Sequence, residues 1–194
     1  MIRGRSRRAS WCAAIVLALV VLPACESRQF HQVTCELGDP SMILAAQAVP
    51  TASLLPCIEE FPVGWIFGGS EIENGNSSFW LDSDRAGFQA VRVSLTETCD
   101  VSEAVEIAPG QDEAGTRRFE KPISLRPRFV ADRYYVFEGG CVTYRFAFNP
   151  NAEPALAVDI DDALSFRPRL PLVERMRETV GLELCGFGAS PCPG

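Results

Sequence analysis

The sequence predicts an α+β fold: a mainly antiparallel β-sheet with a C-terminal amphipathic helix, cross-linked by disulfides. Several segments alternate apolar and polar residues, as half-buried strands do. Near the C-terminus, apolar residues instead recur at helical spacing. The chain has eight cysteines, of which six are expected in the folded domain. Strands in runs followed by a late helix are typical of the α+β class.

The N-terminus resembles the export signal of bacterial lipoproteins. A basic cluster precedes an apolar run that ends at Leu22-Pro23-Ala24-Cys25. The run is shorter than the roughly 20 apolar residues of a transmembrane helix, and Leu22 is too large for the −3 position of an ordinary secretory signal. We therefore expect a lipoprotein signal peptide over residues 1–24 and a lipid on Cys25. An uncleaved membrane anchor and a soluble secreted protein are the alternatives, and Pro23 departs from the usual residue at its position.

Three regions follow from this assignment: the signal peptide, a lipidated polar tether over residues 25–39, and a single extracytoplasmic α+β domain over residues 40–194. Cleavage would leave 14 basic and 25 acidic residues, a net charge of −11. An anionic bilayer repels such a domain, so its attachment to the outer face of the cell membrane would depend on the lipid. Nucleic acid is not an expected partner, because its binding draws on cationic contacts to phosphate.

Six cysteines follow the lipidation site: Cys35, Cys57, Cys99, Cys141, Cys185 and Cys192. An even number in an exported domain predicts three disulfides, and fifteen connectivities are open. Cys99 ends one expected strand and Cys141 begins another, which favours their pairing, although the apolar–polar alternation places them on opposite faces. A metal site is not expected, because no C-x-x-C pair and no histidine accompany these cysteines.

The first half of the domain predicts a short helix and a hairpin. Residues 41–48 favour a helix capped by Asp39 or Ser41, and the proline-rich residues 50–62 favour irregular structure. Segments on either side of Asn74-Gly75, residues 64–67 and 78–81, are apolar and aromatic. Because Asn-Gly suits a type I′ turn, we expect these segments to form a β-hairpin.

The middle of the chain predicts another strand, a loop and a second hairpin. Residues 91–96 alternate as a strand, and the acidic residues 100–116 are typical of an exposed loop. Residues 133–137 and 141–148 predict a hairpin around Gly139-Gly140. Four apolar residues of its second arm share one face: Val142, Tyr144, Phe146 and Phe148.

The C-terminal part predicts one more strand and the amphipathic helix. Leu156, Val158 and Ile160 alternate as in a strand. The helix is expected between Pro171, which suits a first turn, and Gly181, which suits a stop. Its apolar face contains Leu172, Val173, Met176 and Val180.

The chain has one histidine, His31, which lies in the tether. A Ser-His-Asp or Cys-His arrangement, or a catalytic zinc site, needs a histidine inside a cleft. We interpret His31 as a solvated tether residue, so neither type of hydrolase nor a catalytic zinc centre is expected. No cofactor is expected either.

Carboxylates are the remaining candidates for acid–base chemistry. Asp82 and Asp84 follow an expected strand end, where they could bind Ca²⁺ or supply a general acid. The simpler alternative is that they form a turn and cap the segment that starts at Arg85. Glu59 and Glu60 are further candidates.

A second acidic cluster has the same two interpretations, and it consists of Asp159, Asp161 and Asp162. Here the simpler alternative is that Asp161 caps a helix. Neither acidic cluster has the spacing of an EF-hand loop.

One stretch of the acidic chain is basic, and its members are Arg117, Arg118, Lys121, Arg126, Arg128 and Arg133. Such a stretch could hold a phosphate, a polyanionic wall polymer or anionic headgroups, because arginine offers bidentate geometry. The alternative, which we favour, is that these side chains pair with the acids of residues 100–113 and with other strands.

Two segments carry a family resemblance, Phe79–Gly87 and Arg133–Phe146. They resemble segments of uncharacterised actinobacterial membrane lipoproteins, and the likeness spans residues 48–185. The excess of arginine over the single lysine, Lys121, fits a high-GC genome of this kind. The resemblance implies a membrane location and a disulfide-bearing domain, and it implies no activity.

These observations predict a lipid-anchored extracytoplasmic protein with a non-enzymatic binding or envelope-accessory role. Its expected partners are the membrane, through the lipid, and an envelope protein or polymer. The alternative is a carboxylate-dependent hydrolase of envelope glycans that uses Asp82 and Asp84, or Glu59 and Glu60. A further possibility is an accessory subunit of a membrane complex, which would expose a contiguous apolar patch.

Overall fold

A computed structural model describes residues 33–108 and 115–192 of the 194-residue chain. The expected signal peptide, the lipidation site Cys25 and the tether residue His31 lie outside the described residues. The helices are α1 (Pro40–Ala48), α2 (Leu156–Ala163) and α3 (Arg169–Val180). The strands are β1 (Leu54–Ile58), β2 (Trp65–Glu73), β3 (Asn76–Ser83), β4 (Gly87–Thr96), β5 (Val105–Ile107), β6 (Arg117–Ser124), β7 (Val130–Phe137), β8 (Gly140–Ala147) and β9 (Leu164–Pro168).

Seven strands form one antiparallel sheet in the order β2-β3-β4-β8-β7-β6-β5, and β1 pairs with β9 in a two-stranded antiparallel ribbon. The ribbon and α1 pack on one face of the large sheet. On this face the ring of Phe166 in β9 contacts the rings of Tyr135 in β7 and Tyr144 in β8. The main core lies between these layers, and a smaller buried cluster of Phe119, Tyr134 and Cys141 lies on the other face of the sheet, against Cys99, Val101 and Ala104. The prediction of an α+β fold with an antiparallel sheet, a C-terminal helix and disulfides is confirmed.

Both expected hairpins are present. Glu73 pairs with Asn76, so Asn74-Gly75 is a two-residue turn in which Gly75 has a φ of 83°. In the second hairpin Phe137 pairs with Gly140, so the turn residues are Glu138 and Gly139 rather than the two glycines. The four apolar residues predicted to share a face of β8 and the position after it are all buried.

Both expected helices are present. The Asp39 carboxylate accepts a hydrogen bond from the Ser41 backbone N–H at 2.8 Å and caps α1 as predicted. Gly181 ends α3 in the left-handed conformation, with a φ of 67°. Val180 does not belong to the buried face of α3, because it is 67% exposed and the apolar contacts end at Met176.

Residues 156–160 form the helix α2, so the prediction of a strand here is wrong. The side chains that α2 buries are Leu156, Ala157, Ile160 and Ala163, a helical spacing. Val158 is 54% exposed, although the alternating pattern placed it with Leu156 and Ile160. Short apolar alternations fit both a strand and a helix, and packing against the sheet decides here.

Two other segments contain strands where irregular structure was predicted. The proline-rich stretch 50–62 contains β1, whose Pro56 lies opposite Phe166 of β9. The acidic stretch 100–116 contains β5, which pairs with the outer edge of β6. Both are short strands, and each pairs with one other strand. Proline and charged residues are tolerated in such edge strands.

Three disulfides cross-link the domain: Cys35–Cys57, Cys99–Cys141 and Cys185–Cys192. The favoured Cys99–Cys141 pairing is therefore present, with 5.8 Å between the Cα atoms. The objection from strand alternation does not apply, because β4 ends at Thr96 and Cys99 belongs to the segment that follows it.

Candidate functional site

A cleft of about 560 Å³ lies at one end of the sheet, between the β1–β2 connection, the β3–β4 turn and α2. Its walls are formed by Glu60, Phe61, Pro62, Val63, Arg85, Asp159, Asp162 and Ala163. The cleft therefore contains one glutamate and two aspartates that the sequence singled out, and a single arginine faces them.

Arg85 organises this cleft through its guanidinium. Its Nη2 donates to the Asp159 carboxylate at 2.9 Å and to the Val63 carbonyl at 3.1 Å. The Asp84 carboxylate lies 3.9 Å from Nε of the same side chain. Arg85 thus joins the β1–β2 connection to α2, a role that the sequence analysis missed because only the fold brings these segments together.

Asp82 does not line the cleft, and its carboxylate holds a turn. Asp82 Oδ1 accepts a hydrogen bond from the Gln89 backbone N–H at 2.7 Å, where Gln89 has a φ of 47°. The turn interpretation is correct for Asp82, but the cap of the segment at Arg85 is Ser83. The Ser83 hydroxyl accepts from the backbone N–H groups of Arg85 and Ala86, each at 3.2 Å.

Glu59 and Glu60 point to different surroundings. The Glu59 carboxylate is ion-paired with Arg167 of β9 at 2.6 Å, whereas Glu60 lines the cleft. The structure therefore brings Glu60, Asp159 and Asp162 together and places Asp84 beside them through Arg85. It does not bring Asp82 or Glu59 into this group.

Asp161 lies within α2 and points to the sheet, so its interpretation as a helix cap is wrong. Its carboxylate is ion-paired with Arg133 of β7 and lies 3.7 Å from Arg118 of β6. Glu120 shares both arginines, at 3.1 Å from Arg118 and 2.7 Å from Arg133. Burial raises the pKa of the Asp161 carboxyl, and the charges of Arg133 and Arg118 oppose this rise.

The basic stretch is largely paired with acids, as favoured from the sequence. Arg117 donates from Nε and Nη2 to the Glu106 carboxylate, both at 2.9 Å, and these hydrogen bonds lower the pKa of Glu106. Lys121 is ion-paired with Glu103. Arg118 and Arg133 bind Asp161 and Glu120. Together with Arg117 and Lys121, four of the six basic side chains therefore form ion pairs within the domain.

The other face of the large sheet presents polar and aromatic side chains over β3, β4 and β8. Trp80, Arg92 and Arg145 lie directly opposite one another on these three strands and share this face. Ser94 and Thr143 form the next row along β4 and β8. This arrangement cannot be read from the sequence. Alternation places these side chains on the polar faces of their strands, but only the register aligns them.

Comparison with known proteins gives little further information. No protein-family model and no curated protein matches the chain. One solved structure, a crystal structure of a protein from Bacteroides thetaiotaomicron, matches with 11% identity and a TM-score of 0.32. The match covers 60% of this chain and 49% of the other chain, so this chain spans about half of that protein.

Two kinds of feature are absent from the described segments, residues 33–108 and residues 115–192. Neither segment contains a helix with the length and apolar character needed to cross a membrane. Nor do these segments group three or more histidine, cysteine, aspartate or glutamate side chains in a way that could hold a metal ion.

Proposed function

We propose that the protein is a lipid-anchored extracytoplasmic domain that binds a component of the cell envelope without catalysis. The lipobox-like stretch ending at Cys25 supports the anchor. The three disulfides support an oxidising compartment, because disulfides persist outside the cytosol.

The main support for a binding function comes from the side chains on the open face of the large sheet. The ribbon and helices cover one face. On the other face, residues 99–104 cover part of β6, β7 and β8, and Trp80, Arg92 and Arg145 lie beside this covered part. Arg145 is more than half exposed, and Trp80 and Arg92 are half-buried. Aromatic and arginine side chains are the residues that most often provide binding energy at recognition surfaces.

The alternative, a hydrolase, has less support than the binding function, because most of the candidate carboxylates already have partners within the fold. Asp82 accepts a hydrogen bond from the Gln89 backbone, Glu59 pairs with Arg167, and Asp159 binds Arg85. Each of these contacts holds two segments of the fold together, which is a sufficient structural role for the carboxylate. Glu60 and Asp162 line an open cleft whose other acid, Asp159, is already engaged.

Intact-mass spectrometry of the membrane-extracted protein, native and reduced, tests the anchor. We expect a chain that starts at acylated Cys25 and gains six mass units on reduction, as three disulfides require. A chain that retains residues 1–24 and carries no lipid would contradict the anchor.

Co-sedimentation with insoluble cell-wall material distinguishes binding from hydrolysis in a single experiment. We expect the full-length chain to sediment with the wall material while no reducing ends enter the supernatant. Release of reducing ends that is abolished by Glu60→Gln or Asp162→Asn, and retained in the exposed control Glu174→Gln, would identify a hydrolase instead.

A further inference from the structure

We propose that a cavity of about 410 Å³ beside α3 binds a small zwitterion, which is a free amino acid or a short peptide with both ends unblocked. The cavity lies between α3, the segment that follows it and the C-terminal loop (Cys185–Cys192). Its volume is within the range of small-molecule sites, about 300–1,000 Å³. Other elements form the open face of the sheet, so this inference goes beyond the proposed function and does not depend on it.

Two side chains of opposite charge line this cavity, Arg177 of α3 and Glu183 of the segment after it. Within the described part of the chain, neither side chain forms an ion pair or a hydrogen bond, either with the other or with a third residue. Arg85 in the cleft beside α2 differs, because Asp159 already engages its guanidinium. The guanidinium of Arg177 and the carboxylate of Glu183 are therefore both available to a ligand.

Apolar side chains form another part of the cavity wall. Val173 and Leu184 both line the cavity, and they are only 8% and 3% exposed. Arg177 follows Val173 by one helical turn, so the two side chains lie on the same face of α3. The cavity thus combines a buried apolar surface with a small number of polar groups, which is the usual composition of a small-molecule site.

The C-terminal loop is fixed to the rest of the domain at several points. The disulfide between Cys185 and Cys192 closes the loop. Arg169, which is fully buried, donates to the Cys185 carbonyl at 2.6 Å, and the Phe187 N–H donates to the Pro50 carbonyl at 2.8 Å. The wall of the cavity is therefore formed before a ligand binds, which reduces the entropy that binding costs.

The two opposite charges select the class of ligand. A carboxylate on the ligand would accept charge-assisted hydrogen bonds from Arg177, and an ammonium group would donate them to Glu183. A ligand with only one of these groups would satisfy one side chain and be repelled by the other. A zwitterion avoids this repulsion, and its apolar part would cover Val173 and Leu184.

Titration of the full-length chain in neutral detergent micelles, followed by ¹⁵N–¹H NMR, tests the site. The probes are leucine, alanyl-alanine, 4-methylpentanoate and 3-methylbutylamine; the last two are leucine without its ammonium group and leucine without its carboxylate. We expect a zwitterion to shift the amide signals of Gly188 and Ser190, which line the cavity, and each single-charge analogue to bind about tenfold more weakly. Tighter binding of leucine would identify a free amino acid as the ligand, and tighter binding of alanyl-alanine a peptide.

Variants of the two charged side chains assign a ligand group to each. Arg177→Gln and Glu183→Gln should each raise the Kd of the zwitterion about tenfold. In Arg177→Gln leucine should lose its advantage over 3-methylbutylamine, and in Glu183→Gln its advantage over 4-methylpentanoate. Arg175→Gln and Glu178→Gln are the matched controls, because they remove the same charges from exposed positions of α3 outside the cavity. We expect them to change the Kd less than about twofold.

Ala189→Phe tests the cavity itself. Ala189 is an exposed residue of the C-terminal loop that lines the cavity, so a phenylalanine there should fill the space and abolish binding. Thermal melts of all variants separate binding from folding. The site is overturned if neither zwitterion shifts the loop amides, if a single-charge analogue binds as tightly as leucine, or if Arg175→Gln weakens binding as much as Arg177→Gln.

Discussion

Arg133 of β7 and Asp161 of α2 form an ion pair that joins the helix to the large sheet. Both side chains are mostly buried, and the Arg133 guanidinium also lies over the ring of Phe146, 5.0 Å from its centroid. Glu120 of β6 completes the group. The helical conformation of residues 156–163 lets α2 present Asp161 and its buried apolar side chains to the same face of the sheet.

Replacement of Arg133 should destabilise the domain. Arg133→Met keeps much of the packing on Phe146 but leaves Asp161 buried without its main counter-ion, at a cost of about 3 kcal/mol in the free energy of unfolding. Urea unfolding measures this loss. Adding Asp161→Leu to the variant should recover most of it, since a buried pair can be exchanged for apolar side chains. Arg167→Met, at an exposed pair, should change stability by less than about 1 kcal/mol.

The raised pKa of Asp161 predicts an unusual pH dependence. A carboxyl whose pKa is higher in the folded than in the unfolded state adds stability that is fully present below the unfolded value, about 3.9. This contribution is lost as pH rises through the folded pKa. The stability of the wild type relative to Asp161→Asn should therefore increase as pH falls from 7 to about 4.

Urea unfolding of both proteins across this pH range is the test, with an NMR titration of the Asp161 carboxyl beside it. A titration midpoint at or below the ordinary aspartate value would contradict the prediction. Asp162→Asn, at an exposed neighbour in α2, is the matched control and should follow the wild type.

Two of the disulfides should differ in their contribution to stability. Cys99–Cys141 closes a separation of 42 residues and Cys185–Cys192 one of 7. Because a longer loop loses more entropy when it is closed in the unfolded chain, removal should cost about 4 kcal/mol and about 2 kcal/mol, respectively. The test compares the free energies of unfolding of two double variants, one with serine at Cys99 and Cys141 and one with serine at Cys185 and Cys192. Equal losses would show that contacts of the folded state dominate instead.

An alanine at Gly68 should displace the Trp80 indole. The added Cβ would lie 2.6 Å from Cδ1 of the ring, so the side chain must move, at a cost of about 1–3 kcal/mol. The tryptophan emission should shift towards that of an exposed indole. Gly75→Ala, in the hairpin turn with nothing within 4 Å of its Cβ, should leave the emission unchanged. If the emission of Gly68→Ala does not shift, the Trp80 ring does not lie as close to Gly68 as described.

Arg169 should be needed to hold the C-terminal segment. It is fully buried and donates to the Ala46 carbonyl at 2.5 Å and to the Cys185 carbonyl at 2.6 Å. Arg169→Met leaves both carbonyls unsatisfied, at a cost of about 2–4 kcal/mol. Hydrogen exchange at the Phe187 amide, which donates to the Pro50 carbonyl, should accelerate. Arg177→Met, at an exposed position of α3, should leave that exchange unchanged.

The local pattern of the sequence determined both hairpins, the cap of α1, the end of α3 and the presence of three disulfides. Asn74-Gly75, Asp39 and Gly181 act within a few residues of themselves, so their effects can be read from neighbouring positions. Alternation likewise identified which side chains of β8 are buried.

Tertiary structure decided what depends on partners distant in the chain. The apolar pattern of residues 156–160 fits two secondary structures, and packing of Ile160 and Asp161 against the sheet selects the helix. β1 is a strand only because β9, more than a hundred residues later, supplies its hydrogen bonds. The alignment of Trp80, Arg92 and Arg145 arises from the register of three strands. Register is set by long-range pairing, so no local pattern of residues could bring these three side chains together.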